Sequence, residues 1–193
     1  DDYRNQTEFP MDKNTTSSTD IVRAMFGDLT TIIYRNTNPV GDLGTYSREQ
    51  FRSDLLDDET VRLESQRPFR TAGVYAIPGQ TVTVTRTDSS DVRVDLRVQT
   101  IRDGASAPFR AQYDRPNILR SNQLTIEPGE TLEFTSAIGG PVNAYFDTDG
   151  GNVELAFENI GKHPVWRGPE DSQTFQDALI LDEFDWAQFV TSN

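Results

Sequence analysis

The sequence predicts a mainly β chain, organised as an antiparallel β-sandwich of the jelly-roll or galactose-binding-like type. A Pro-Gly pair followed by an alternating run of β-branched and apolar residues occurs twice, at Pro78-Gly79 and at Pro128-Gly129. Proline fixes φ and glycine supplies the positive φ of a type II turn, so each copy is predicted to be a strand, a tight turn and a strand. About eight or nine short strands, with turn signals roughly every 8–12 residues, are typical of a sandwich.

Residues 92–98 predict a strand with one apolar and one polar face. The apolar positions are Val92, Val94, Leu96 and Val98, and the polar positions between them are Arg93, Asp95 and Arg97. This alternation is typical of a strand that faces the core on one side and water on the other. Residues 141–146 and 153–157 have further strand patterns, and the Asp- and Gly-rich residues 147–152 between them predict a hairpin turn. Residues 60–64 also alternate like a strand.

An amphipathic helix is predicted to begin near Ser18, with Ser18, Thr19 or Asp20 as its cap. Apolar residues recur at helical spacing in one stripe, which consists of Val22, Met25, Phe26, Leu29, Ile32 and Ile33. Such a helix is marginal alone in water, so the stripe is expected to pack on something. Two partners fit: the sandwich, or a part of a longer parent protein that is absent from this sequence.

The C-terminal residues predict a second, short helix. Ser172 offers N-cap chemistry after a loop that contains Gly168-Pro169, and an apolar set at helical spacing follows. That set is Phe175, Leu179, Ile180 and Phe184. Residues 185–190 are apolar enough to be the first strand of a further domain. Together with a start at Asp1 that lacks an initiator Met, this indicates a piece excised from a longer chain.

Composition excludes several classes of function. The net charge of −13 argues against a nucleic-acid partner, because binding phosphates requires a basic face. The chain has no cysteine, which excludes disulfides, thiol catalysis and cysteine-ligated zinc. No apolar run reaches the roughly 18 residues of a membrane span. Acid excess with only two lysines, Lys13 and Lys162, fits a secreted or salt-tolerant protein and equally an ordinary acidic surface.

Candidates for catalysis or metal binding are few. His163 is the single histidine, so neither H-E-x-x-H nor a three-histidine zinc site can form, and a loop position is its default interpretation. Residues 147–150 match the opening of a calcium loop, but the later ligands are absent and a turn uses the same residues. Residues 57–59 are interpreted as a solvated acidic patch.

Aromatic residues near arginines are the remaining candidates for binding, because aromatic rings can stack on sugars. The candidate aromatics are Tyr113, Tyr145, Phe146 and Trp166. The alternative is that most of them belong to the core of the sandwich. The candidate substrate-binding residues are therefore Tyr113, Arg115, Tyr145 and Trp166.

Short motifs along nearly the whole chain give it a family resemblance. In chain order they are Phe9-Pro10-Met11-Asp12-Lys13, Asp42-Leu43-Gly44-Thr45-Tyr46, Gly73 to Gly79, Tyr113-Asp114-Arg115-Pro116, Leu119-Arg120-Ser121, Thr135-Ser136-Ala137-Ile138-Gly139-Gly140, Gly168-Pro169-Glu170-Asp171-Ser172 and Asp185-Trp186. In this order they resemble the accessory β-sandwich that precedes the catalytic domain in enhancin-like zinc metallopeptidases. These are the mucin- and O-glycoprotein-directed proteases of the immunomodulating type.

The resemblance implies that catalysis and accessory functions belong to different domains. Catalysis belongs to a downstream domain that carries H-E-x-x-H and a further glutamate ligand to zinc, and this sequence has none of those residues. We therefore expect no catalytic, cofactor-binding or metal-binding residue in this chain, with zinc held by the absent domain. The expected domains are an N-terminal helical and linker segment at 1–59, a sandwich at 60–166 and a connector helix at 167–193.

The function predicted from the resemblance is that of a non-catalytic accessory domain of a secreted zinc metallopeptidase. The domain would brace the peptidase and help to present mucin-type O-glycoproteins. Its expected partners are the downstream catalytic domain of the same polypeptide and O-glycans, and its expected location is extracellular or at the cell surface. The alternatives are an independent carbohydrate-binding module and a structural or adhesive surface module.

Overall fold

The computed structural model describes residues 10–34, 57–101, 111–113, 118–137, 139–181, 184 and 186–190. The helices are α1 (Ser18–Tyr34) and α2 (Ser172–Leu181), and a short 3-10 helix, Pro169–Asp171, precedes α2. The strands are β1 (Met11–Asp12), β2 (Asp57–Glu64), β3 (Phe69–Ala76), β4 (Thr81–Arg86), β5 (Val94–Ile101), β6 (Gln112–Tyr113), β7 (Ile118–Arg120), β8 (Leu124–Ile126), β9 (Thr131–Thr135), β10 (Gly140–Phe146), β11 (Asn152–Ile160), β12 (Val165–Trp166) and β13 (Gln188–Phe189).

Two antiparallel sheets form the predicted β-sandwich. The five-stranded sheet has the order β3-β10-β5-β7, and β8 also pairs with β5. The four-stranded sheet has the order β2-β11-β4-β9. One apolar core lies between the sheets, and Val84, Val94, Leu96 and Leu155 are fully buried in it. The prediction of a mainly β chain with a helix near each end is confirmed.

Both Pro-Gly turns have the predicted geometry. Gly79 has φ 74° and Gly129 has φ 78°. The N–H of Gln80 donates to the carbonyl of Ile77 (3.1 Å), and the N–H of Glu130 donates to that of Glu127 (3.0 Å). Each turn carries the chain from the five-stranded sheet to the four-stranded sheet, from β3 to β4 and from β8 to β9.

The prediction of a hairpin at residues 147–152 is wrong. These residues do reverse the chain, and Gly150 has φ 87°, but they join β10 of one sheet to β11 of the other. Turn chemistry predicts a reversal without specifying whether the next strand lies beside the last strand or opposite it. The carboxylate of Asp149 accepts the backbone N–H of Arg67, and that of Asp147 accepts the N–H of Arg93.

The first strand of the four-stranded sheet begins earlier than predicted. β2 includes Asp57, Asp58 and Glu59, and the register shifts here so that Asp57 and Glu59 pair with the end of β11. All three are exposed, as predicted for an acidic patch. The ammonium of Lys162 lies 2.9 Å from a carboxylate oxygen of Asp57 and 3.0 Å from one of Glu59, so the patch is partly neutralised.

Helix α1 begins at Ser18 as predicted, but its cap is Ser17, whose Oγ accepts the N–H of Asp20 (3.2 Å). The helix also buries a different face. Ile21 and Ala24 pack with Met11 and Tyr113, which belong to the paired strands β1 and β6. Of the predicted apolar stripe, Val22, Met25, Phe26 and Leu29 are exposed by 62%, 44%, 65% and 50%. The periodicity therefore identified the helix correctly without identifying its buried side. Among the described residues, no helix is long and apolar enough to span a bilayer.

The C-terminal residues contact β3 and β12. Residues 188–189 form β13 within the strand predicted at 185–190, and β13 pairs in parallel with β12. Phe184 packs against Tyr75 on the outer side of β3, with ring centroids 5.0 Å apart. The sequence of a short apolar stretch does not reveal which strand it pairs with. Here the partner is β12, which precedes helix α2 in the chain.

Arg86 is a charged residue that is fully buried at one end of the sandwich. Its guanidinium donates to the carboxylate of Asp88, to the carbonyl of Ser90 (2.7 Å) and to the carbonyl of Ile126 (3.1 Å). Asp88 also accepts the backbone N–H of Glu154 (2.9 Å). Because β4 and β11 belong to one sheet and β8 to the other, this network ties the two sheets together.

Arg86→Met is expected to lower the free energy of unfolding by about 3–5 kcal/mol, because it leaves the Asp88 carboxylate without its cation. Urea denaturation of the purified chain measures the change. Arg93→Met is the matched control, since Arg93 forms an ion pair with Asp95 but its side chain is 53% exposed. The control is expected to cost about 1 kcal/mol or less. Equal losses of unfolding free energy in the two variants would contradict the role of Arg86 as a buried link between the sheets.

Asp88→Asn is expected to weaken the dependence of stability on pH. Burial raises the pKa of Asp88, but hydrogen bonds from Arg86 and from backbone N–H groups outweigh burial and set the pKa below the usual 3.8. A depressed pKa adds stability above the unfolded-state value, and that stability is lost as pH falls through the folded-state value. Denaturation at pH values between about 5 and 2 should therefore give a shallower slope for the variant. An unchanged slope would contradict the prediction.

Candidate functional site

The outer side of the five-stranded sheet carries polar and aromatic side chains at its centre. The register places Asn143 of β10 between Thr71 of β3 and Arg97 of β5. Tyr145 of the same strand pairs with Phe69 of β3. We call these five residues the outer polar face. They point away from the core because their neighbours in each strand, such as Ala72, Leu96 and Ala144, are buried between the sheets.

An aromatic pair and a cation occupy one part of the outer polar face. The rings of Phe69 and Tyr145 have centroids 5.2 Å apart and are tilted by 34°. The guanidinium carbon of Arg97 lies 5.1 Å from the centroid of the Tyr145 ring, within cation–π range. One Nη of Arg97 donates to Oε1 of Gln123 (2.7 Å), and the Tyr145 hydroxyl lies 3.4 Å from Oε1 of Gln99. Phe69 is 46% exposed, so part of this aromatic surface is open to solvent.

Two polar atoms beside this pair have no hydrogen-bond partner. They are Oδ1 of Asn143 and Nε of Arg97, and both are buried. The two residues are direct neighbours across β10 and β5, so an unused acceptor and an unused donor belong to adjacent positions. A buried polar group without a partner costs about 1–3 kcal/mol, and such groups in native proteins call for an explanation.

The C-terminal segment borders the outer polar face through one glutamine. Oε1 of Gln188 accepts a hydrogen bond from the Thr71 hydroxyl (2.6 Å) and lies 2.7 Å from Nε2 of His163. Because an amide oxygen only accepts, Nε2 of His163 carries the proton and Nδ1 is left with a lone pair. Nδ1 is buried and has no partner. The segment is thus anchored to β3 through this glutamine.

His163 is neutral in this environment. It is 4% exposed, and its ring stacks edge-on against Tyr75 with centroids 5.9 Å apart. Burial, with the nearby charge of Arg167, lowers the pKa of His163 to about 4 in spite of its hydrogen bond with Gln188. At neutral pH the ring therefore stays uncharged. It lies in a loop, as interpreted from the sequence, and its observed contacts are those of a packing residue.

The four residues predicted to contact substrate have different surroundings. Tyr145 lies on the outer polar face. Tyr113 is buried, and its hydroxyl donates to a carboxylate oxygen of Asp28 (2.6 Å), so it is not available for stacking on a sugar. Arg115 lies outside the described residues. Trp166 is half-buried, and its Nε1 donates to the Ser172 hydroxyl (3.2 Å).

Trp166 belongs to a separate aromatic cluster at the C-terminal end. Its ring centroid lies 6.0 Å from that of Phe189, which in turn lies 5.1 Å from that of Phe175. Trp166 and Tyr145 are therefore not parts of one platform. The two regions are linked only indirectly, because Gln188 precedes Phe189 and contacts Thr71 of the outer polar face.

Asn143, Thr71 and Phe69 were missed by the reasoning from sequence. The alternation within β10 could have placed Asn143 on the same side as Tyr145. Phe69 and Thr71 could not have been found in this way, because only the observed pairing of β3 with β10 brings them to this face.

Two features of the described chain outside the outer polar face bear on binding. In the described part of the chain, no group of three or more His, Asp or Glu side chains is arranged to hold a metal ion. An open cleft of about 390 Å³ lies beside β2 and β11, and its lining includes Arg62, Asp88 and Glu154. These charges already pair within the protein, Arg62 with Glu154 and Asp88 with Arg86.

Comparisons with known proteins give a consistent result. No family model matches the chain. The immunomodulating metalloprotease of Pseudomonas aeruginosa is 24% identical over 160 residues, which cover 76% of this chain. The chain spans 17% of the length of that relative.

Two solved structures share the fold of nearly the whole chain. The IMPa metallopeptidase in complex with T-antigen matches 97% of the chain at 18% identity, with a TM-score of 0.72. IMPa from Pseudomonas aeruginosa in complex with an O-glycopeptide matches 97% at 20% identity, with a TM-score of 0.70. This chain corresponds to 23% of each of those chains. The predicted resemblance to enhancin-like metallopeptidases of the immunomodulating type is therefore confirmed, over a limited part of their length.

Proposed function

We propose that this chain is a non-catalytic accessory domain of a secreted zinc metallopeptidase that acts on mucin-type O-glycoproteins. The observation that carries the proposal is the single histidine in a chain whose sequence and fold resemble part of a metallopeptidase. A zinc site of the H-E-x-x-H type needs two histidines one helical turn apart. The zinc and the catalytic glutamate then belong to another domain of the same polypeptide.

The contacts of His163 support this assignment. Its Nε2 is engaged by Gln188 and its ring packs on Tyr75, so the one imidazole of the chain anchors the C-terminal segment. A zinc ligand needs an accessible lone pair with further ligands beside it, whereas the unpaired Nδ1 of His163 is buried. The remaining polar residues of the outer polar face, Thr71, Asn143 and Arg97, offer hydrogen bonds and no nucleophile paired with a base.

The exposed stripe of α1 is the surface that we assign to bracing. Val22, Met25, Phe26 and Leu29 lie on one side of the helix, and Phe26 alone is 65% exposed. Contiguous exposed apolar side chains mark a contact surface rather than a solvated face. We assign the remainder of the parent polypeptide as its occupant, because the chain spans 17% of its curated relative and most of such a protein lies outside it.

Carbohydrate binding is the second candidate, and the outer polar face favours it. An aromatic pair beside an arginine and an unpaired amide oxygen is the type of surface that sugars bind. The two functions are compatible, since an accessory domain that binds glycan would help to present a glycosylated substrate.

The purified 193-residue chain, supplied with Zn²⁺, is expected to leave a mucin-type O-glycoprotein intact, because it cannot form the zinc site. Mass spectrometry of the incubated glycoprotein provides the measurement. The parent polypeptide, assayed in parallel, is expected to cleave it. Cleavage by the 193-residue chain that persists after repeated purification would overturn the proposal.

Phe26→Ser is expected to destabilise the parent polypeptide but not the isolated chain. In the isolated chain it should change the free energy of unfolding by less than about 0.5 kcal/mol, because the side chain is already exposed. In the parent polypeptide it should lower the Tm of the peptidase by about 2–4 °C, because an apolar contact between domains is lost.

Arg23→Ser is the control for this comparison, since Arg23 is exposed on the same helix and forms only a surface ion pair with Asp20. It should leave the Tm unchanged in both backgrounds. If Phe26→Ser also leaves the parent unchanged, the stripe is not a bracing surface.

A further inference from the structure

The unpaired atoms of Asn143 and Arg97 define a hydrogen-bonding site on the outer polar face. Oδ1 of Asn143 can only accept a hydrogen bond, and Nε–H of Arg97 can only donate one. A hydroxyl group does both, so a single hydroxyl can satisfy the two atoms together. The Thr71 hydroxyl does not take this role, because it donates to Gln188.

The neighbouring aromatic pair adds an apolar surface to the same site. Phe69 is 46% exposed and its ring lies 5.2 Å from that of Tyr145. A ligand that reaches Asn143 therefore lies beside two rings. Pyranose sugars combine hydroxyl groups on the ring edge with an apolar C–H face, which aromatic side chains cover well. A flexible aliphatic chain would use the rings and leave the polar atoms unpaired.

The charge around Arg97 favours a neutral ligand. The carboxylate of Asp95, which is the preceding outward position of β5, lies 3.0 Å from Nε of Arg93 and accepts the Thr125 hydroxyl (2.6 Å). Arg97 itself is turned over Tyr145 and bonded to Gln123, not presented as a free cation. Arg93 and Arg97 are therefore both engaged by groups of the protein, and neither is offered to an anionic sugar.

We propose that the outer polar face binds a neutral pyranose, with one hydroxyl between Oδ1 of Asn143 and Nε of Arg97 and the ring against Phe69 and Tyr145. Because both polar atoms are covered, the Arg97 side chain turns away from Tyr145 as the sugar enters. The two groups that are unpaired without ligand then gain partners, and this gain drives binding. The identification of the sugar as a unit of a mucin-type O-glycan rests on the proposed function.

Isothermal titration of the 193-residue chain with galactose-β1,3-N-acetylgalactosamine linked to threonine tests the inference. We expect a dissociation constant of about 1 mM, typical of a shallow site that contacts one or two sugar rings. Arg97→Gln and Phe69→Ala should each weaken binding by about tenfold, the loss that follows from removing roughly 1.4 kcal/mol of contact. Both residues are at least partly exposed, so these variants are expected to keep the fold.

Arg62→Gln is the matched control, because it makes the same chemical change on the outer side of the four-stranded sheet, where Arg62 pairs with Glu154. It should bind like the unchanged chain. Absence of binding, equal weakening by all three variants, or tighter binding of the sialylated glycan than of the neutral one would overturn the inference. Because the titration uses this chain alone, its failure would leave the proposed accessory role and its tests unaffected.

Discussion

The buried guanidinium of Arg86 is the polar contact that links the two sheets at one end of the sandwich. A charge removed from water is tolerated only when it is paired and its donors are used. Here the guanidinium reaches Asp88 and two carbonyl oxygens, those of Ser90 and Ile126. Asp88 in turn accepts the N–H of Glu154. One ion pair therefore fixes the end of β4 against strands of both sheets, in a position where an apolar side chain could not specify an orientation.

The position of Arg86 also follows from the internal repeat. Strands β4 and β9 each follow a Pro-Gly turn, and they pair antiparallel with Thr81 opposite Thr135 and Thr85 opposite Thr131. The Gly79 N–H donates to the carbonyl of Ser136, and the Gly129 N–H donates to that of Arg86, at 2.8 and 2.9 Å. Each turn is therefore held by the end of the other copy. Arg86 and Ser136 occupy equivalent places, and only one of them carries the charge that links the sheets.

The strands and turns were predictable from local residue patterns in the sequence, but the pairing of the strands was not predictable in this way. Alternation correctly placed Leu96 in the core and Arg97 outside, because a strand turns successive side chains to opposite faces. Residues 147–152 were correctly read as a reversal, but a reversal is compatible with a hairpin and with a crossing between sheets. The same limit applies to α1. Its periodicity locates a helix, but the buried side is Ile21 and Ala24, which pack with Met11 and Tyr113.

The candidate site was predictable only in part for the same reason. Tyr145 could be proposed from its residue type and its position in an alternating segment. Its partners Phe69 and Thr71 come from a strand far away in sequence, and only the register of β3 with β10 brings them together. Tyr113 has an equally suitable side chain for stacking, yet it is buried with its hydroxyl bonded to Asp28. Residue type thus identifies candidates, and long-range pairing decides which of them share a surface.

Arg86 and Arg97 show how structural and binding roles differ in this protein. Arg86 is completely buried, and its guanidinium donates to three protein partners, as expected where a charge is used to fix the fold. Arg97 is partly exposed, stacks on Tyr145, and has an Nε without a partner beside the unpaired Oδ1 of Asn143. Since each unpaired group lowers stability, a position used only for folding would be better filled by groups that bond each other. A hydroxyl-bearing ligand that supplies the missing bonds removes this cost, so the stability given up at Asn143 and Arg97 is consistent with a binding role.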